Sequence, residues 1–170
     1  MKKAIVIAGF PGIGKTTLSN KYNNIIDLDV MDYKWSYENI TDIEQKKGST
    51  KRKINKDWPN NYINAINQSI DNYDIVFIST DSELLHILDK NNFNYTLAFP
   101  SPECKSEYLK RYAKRGNPES FIKKADEIFE TLIFSLSNRD CKKIILNENE
   151  SLESKIKQML QIKCNEDYEK

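Results

Sequence analysis

Residues 4–17 read AIVIAGFPGIGKTT, and this order of residues decides the fold. Ala4 to Gly9 is a run of β-branched and small apolar residues, which predicts a strand covered on both faces. Gly9, Gly12 and Gly14 follow at once. They are three of only five glycines in 170 residues, so backbone freedom is concentrated at one turn. Gly9, Gly14, Lys15 and Thr16 fit G-x-x-x-x-G-K-[ST], and Lys15 to Tyr22 is predicted as a helix. In a strand–loop–helix unit of this kind, backbone N–H groups turn inward around a phosphate, and the helix N-terminus adds partial positive charge. Lys15 would reach the β- and γ-phosphates of a nucleotide, and Thr16 would offer its hydroxyl to Mg²⁺. The predicted phosphate-binding residues are Gly9, Pro11, Gly12, Ile13, Gly14, Lys15, Thr16 and Thr17.

Outward from this unit, four more apolar runs read as strands: NIIDLD (24–29), DIVFIS (74–79), YTLAF (95–99) and KKIILN (142–147). They are nearly continuous, the pattern of a parallel sheet. Helical patterns lie between them, over 58–72, 81–91, 101–115, 117–136 and 152–162. Asp81 suits an N-cap, and Pro59, Pro102 and Pro118 suit first turns. The stripe from Phe121 to Leu136 reads as buried core. Strands alternating with helices predict an α/β, doubly wound open sheet with ligands at the carboxyl ends of its strands.

Hydrophobic residues make up 39% and charged residues 30%, which is a soluble globular composition. A net charge of +1 excludes a global field that would draw the chain to nucleic acid or membrane. The three cysteines are scattered, which fits reduced thiols in the cytoplasm and carries no metal signature. No apolar run approaches the ~20 residues of a membrane span.

Four further features carry candidate chemistry. Asp27-Leu28-Asp29 closes the second strand, with both acids on one face. A carboxylate there can take a proton from an attacking hydroxyl, orient it, or hold a metal ion, directly or through water. In YLKRYAKRGNPES (108–120), Arg111 and Arg115 are four residues apart on one helical face before Gly116 and Pro118 break the helix. Asp81 closes Ser79-Thr80-Asp81, where a nucleotide-site acid and a helix cap are equally good readings. Residues 33–57 fit no element and carry Lys46, Lys47, Lys51, Arg52, Lys53 and Lys56; a long irregular segment of this kind is usually functional. Arg52 could grip an acceptor's phosphate, while Trp35, Trp58 or Tyr62 could stack on a base. Asn55-Lys56-Asp57 does not complete the N-K-x-D expected of a GTP reader.

GFPGIGKTT, D-x-D after the second strand, a basic insert and an arginine pair occur in an order that resembles small P-loop kinases of the nucleoside and nucleotide kinase superfamily. Asp27-Leu28-Asp29 is similar to the acids of shikimate, gluconate and polynucleotide kinases, and YLKRYAKRG resembles the lid of guanylate kinases. The resemblance implies a three-layer fold with sheet order 2-3-1-4-5, counting those five runs alone. It also implies a single domain over 1–163, with an acceptor-binding insert at about 33–57, a lid at about 111–120 and a frayed tail at 164–170. The implied activity is ATP- and Mg²⁺-dependent phosphoryl transfer to a small acceptor, a nucleoside or nucleoside monophosphate. Lys15, Asp29, Arg111 and Arg115 would be catalytic, and Thr16 and Asp29 would serve the metal. Asp27, Asp29, Trp35, Arg52, Tyr62 and Asp81 would face the acceptor. The alternatives are a polynucleotide or modified-base DNA kinase, a toxin-type sugar-nucleotide kinase, and a non-catalytic nucleotide-binding module.

Overall fold

The structure, a computed structural model, describes residues 4–37 and 52–158. Lys46, Lys47, Lys51 and the tail 164–170 lie outside the described residues.

A five-stranded parallel sheet forms the centre. Strand β1 (Ile5–Gly9) lies between β5 (Ile75–Ser79) and β6 (Thr96–Pro100), with β2 (Ile25–Asp27) beyond β5 and β7 (Lys142–Leu146) beyond β6. The order is β2-β5-β1-β6-β7. Two short strands, β3 (Trp35–Tyr37) and β4 (Arg52–Ile54), pair antiparallel in a separate sheet and take the intervening numbers. Numbered among themselves, the five parallel strands run 2-3-1-4-5. The insert thus holds regular structure where the sequence predicts none.

The central strands are apolar throughout because both faces are covered. Ile75 to Ile78 and Thr96 to Pro100 are all buried. Each large aliphatic side chain buried there contributes about 1.5–3 kcal/mol. Edge strand β7 differs: Ile144 and Leu146 point inward, while Lys142, Lys143 and Ile145 face out. Lysines on an edge discourage pairing with another chain.

Register aligns the carboxyl ends. Gly9 pairs with Ser79 on one side and Ala98 on the other, and Asp27 pairs with Phe77. The chain leaves β1 toward β2, and from β5 it crosses β1 to reach β6. A crevice therefore opens at the end of β1, where the glycine loop begins.

The helices are α1 (Lys15–Lys21), α2 (Met31–Lys34), α3 (Asn60–Ser69), α4 (Ser82–Lys90), α5 (Lys105–Lys114) and α6 (Glu119–Ser137), with residues 152–158 also helical. A 3₁₀ turn at Pro102–Cys104 precedes α5. The segment predicted as a lid is the end of α5, a corner at Arg115 to Pro118 with Gly116 at φ 77°, and the start of α6. The predicted buried stripe on α6 is only half buried. Phe129, Ile133 and Leu136 are buried, but Phe121 and Ile128 are 41% and 45% exposed. Its apolar residues spread over more than one helix face, and the sheet can cover only one. Among the described residues, no helix is long and apolar enough to cross a membrane.

Candidate functional site

The loop after β1 has the backbone its glycines permit. Gly12 has φ 81° and Gly14 has φ 112°, conformations that disfavour any side chain. Gly9 serves a different need: a Cβ there would come within 2.7 Å of the Lys15 side chain. Lys15 can therefore fold back beneath the loop. Its ammonium donates to the Gly9 carbonyl at 2.8 Å and lies 3.4 Å from the Phe10 carbonyl. Desolvation in this position pushes its pKa down. Asp27 and Asp29 pull it back up, and Arg115 depresses it further.

Asp27 and Asp29 differ despite sharing one strand end. The Thr16 hydroxyl donates to Asp27 Oδ2 at 2.7 Å. Asp27 Oδ1 is buried without a hydrogen-bond partner. Burial raises the Asp27 pKa, against the opposing pull of Thr16 and Lys15. Asp29 is exposed, and its Oδ1 accepts from the Met31 backbone N–H at 2.9 Å, which fixes the carboxylate at the start of α2. The sequence assigns the metal to Thr16 and Asp29, whereas the contacts here join Thr16 to Asp27. A threonine hydroxyl beside a partnerless buried carboxylate oxygen is an oxygen pair that fits Mg²⁺, which keeps several waters and needs few protein ligands. Among the described residues, no group of three or more His, Cys, Asp and Glu side chains is arranged for a metal ion.

These groups share one cavity of about 200 Å³, lined by Gly9, Pro11, Lys15, Thr16, Asp27, Asp29 and Ser79, among others. Helix α5 closes on the loop from another direction. Arg111 Nη1 lies 3.5 Å from the Gly12 carbonyl, and the Tyr112 hydroxyl donates to the Pro11 carbonyl at 2.8 Å. Arg111 also pairs with Glu107 and lies 4.6 Å from the Tyr108 ring centroid, so its fork is held from several sides. Arg115 is exposed at the C-cap of α5, yet close enough for its charge to reach Lys15.

The rest of the predicted acceptor set separates. Tyr62 is fully buried in the core. Its hydroxyl donates to the Leu28 carbonyl at 2.6 Å and accepts from the Ser79 N–H at 3.1 Å, so it cannot stack on a base. It ties the end of β2 to the end of β5. Asp81 caps α4, accepting from Glu83 and Leu84 N–H groups, and pairs with Lys34 at 2.5 Å. It lines neither described cavity. Trp58 is buried and donates from Nε1 to Glu83 at 2.7 Å. Trp35 and Arg52 do meet, with the guanidinium 4.2 Å from the ring centroid, but they stack on each other.

Tyr112 and Ser79 are site residues that the sequence reading missed. Tyr112 lies between the two arginines, one helical turn after Tyr108, and that spacing was the available signal.

No protein-family model matches the chain, and no curated protein matches it.

Proposed function

We propose that the chain is a P-loop kinase of three-layer, doubly wound architecture. It transfers the γ-phosphoryl group of ATP to a small acceptor, a nucleoside or nucleoside monophosphate. The observation that carries this reading is the convergence of Lys15, Thr16, Asp27 and Asp29 on one cavity at the carboxyl ends of β1 and β2. Loop amides from Gly12 to Thr17 and the Lys15 ammonium hold the β- and γ-phosphates. Mg²⁺ would supply charge neutralisation on the donor's phosphates, and Thr16 and Asp27, whose buried Oδ1 has no hydrogen-bond partner, would hold it.

Asp29 faces the acceptor. With a hydroxyl acceptor it orients the nucleophile and takes its proton. With a phosphate acceptor there is no such proton, and Asp29 serves positioning. The acceptor oxygen bonds to the γ-phosphorus as the bond to the β-bridging oxygen breaks, and ADP leaves with that electron pair. Arg111 and Arg115 approach the loop from α5, where two fixed positive charges stabilise the transferring group and shield it from water.

The test is to incubate the protein with [γ-³²P]ATP and Mg²⁺ and a panel of nucleosides, nucleoside monophosphates, sugar nucleotides and oligonucleotides. Label on a nucleoside or monophosphate is expected. Label only on oligonucleotides or only on sugar nucleotides moves the assignment to those classes. Slow phosphate release with no labelled product makes the chain a nucleotide-binding module and overturns transfer.

A further inference from the structure

A second cavity, of about 360 Å³, shares Pro11 with the phosphate cavity. This volume is within the range of about 300–1,000 Å³ typical of small-molecule sites. Helix α6 builds much of its wall with Phe121, Ile128, Phe129 and Leu132, and Phe10 faces it from the glycine loop. The exposed faces of Phe121 and Ile128 therefore open onto a concavity beside the phosphate cavity, not onto a flat surface.

The polar groups are few and specific. Among the described residues, Arg52 and Lys124 are the only charged ones lining the cavity, both are cations, and no side-chain carboxylate or amide lines it. The one hydroxyl, on Tyr112, is committed to the Pro11 carbonyl. Stacking on Trp35 holds the Arg52 guanidinium plane in place. Such a lining can enclose a flat apolar ring and attract an anion. The described residues add no carboxylate or amide that would read the hydrogen-bonding edge of a base or the hydroxyls of a sugar.

We propose that this cavity holds the body of the acceptor, and that the acceptor is a small anion carrying an apolar ring. Arg52 and Lys124 recognise its negative charge. Phe121, Ile128 and the neighbouring wall recognise the ring by shape and stacking, which a bare sugar phosphate cannot match. This inference rests on the phosphoryl-transfer reading, which supplies the reason for a ring-binding cavity beside the phosphate cavity.

The experiment is a calorimetric titration of the full chain with 1-naphthyl phosphate, with glucose 6-phosphate and 1-naphthol as controls. Naphthyl phosphate is expected to bind at least about tenfold more tightly than either control. Ile128→Asp and Arg52→Ala should each weaken it about tenfold or more. Ile128 is half exposed, so the aspartate is tolerated, and a circular dichroism melt verifies that each variant folds. Equal affinity for naphthyl phosphate and glucose 6-phosphate overturns the inference, as does binding insensitive to both Ile128→Asp and Arg52→Ala. Either result leaves label transfer from ATP intact as a separate question. Conversely, wild-type protein that binds naphthyl phosphate as expected but labels no acceptor overturns the acceptor role and the kinase reading together.

Discussion

The two cavities meet at Pro11 and differ in almost everything else. The phosphate cavity is small and dense with charge, and the loop after β1 faces the end of β2 across it. The neighbouring cavity is larger, mainly apolar, and drawn from β4, α5, α6 and the start of the loop. One takes Gly9, Pro11, Lys15 and Thr16 from a single run of sequence and adds only the strand ends at Asp27 to Val30 and Ser79. The other exists only once distant segments have packed. A glycine loop can be read from a local run of sequence, whereas a cavity drawn from distant elements cannot.

The sharpest way to break this contrast is Lys15→Ala. Transfer should fall by on the order of 10²–10³, the loss typical of removing one preorganised charge-stabilising donor. The fold should persist, because removing a desolvated ammonium relieves a burial cost. Initial rates with labelled ATP and a thermal melt check both halves. Unchanged turnover would remove the phosphate-loop assignment.

A smaller effect distinguishes the two arginines. Arg115→Ala should lower kcat by about tenfold, or ~1.4 kcal/mol, with less effect on ATP affinity. Arg111→Ala should weaken both, because Arg111 also touches the Gly12 carbonyl. Equal losses in kcat and affinity for Arg115→Ala would argue against a role confined to the transition state.

Gly12→Ala tests how far the loop depends on its backbone. The new Cβ would meet Tyr112 Cε1 at 2.8 Å, at φ 81°. Strain of this kind costs on the order of 1–3 kcal/mol. The melting temperature should drop by roughly 2–4 °C per kcal/mol. A melt that matches wild type would show that the loop tolerates a side chain there.

Asp27→Asn should act the other way and least. Burial raises the Asp27 pKa, so the native state favours its protonated form. The cost of ionised Asp27 is thus present above its folded pKa and is relieved as pH falls through it. The asparagine should raise the melting temperature at pH 7. The gain should shrink as pH falls toward the ordinary carboxyl value of 3.8. A gain independent of pH would mean that charge is not its cause.

What was legible in the sequence follows the same division. Nearly continuous apolar runs and helical spacings located the five parallel strands and most helices, because each is decided by its own residues. The glycine loop was legible for the same reason. Asp27 and Asp29 look interchangeable in D-x-D, and only the Thr16 contact and the Met31 N–H separate them. Tyr62 was misassigned to base stacking, although its spacing with Ile66 already placed it on the buried face of α3. On α6, Phe121 and Ile128 carry the same hydrophobic signal as Phe129 and Ile133. Their exposure depends on how little of that helix the sheet can cover.

Tyr62 has a mechanical consequence. Its hydroxyl is a single rivet between Leu28 and Ser79, and it fastens the chain on either side of the insert to the sheet. Tyr62 thereby fixes the ends of β2 and β5 relative to each other, and with them the spacing of Asp27 and Ser79 across the cavity. Tyr62→Phe removes that tie with no loss of ring volume.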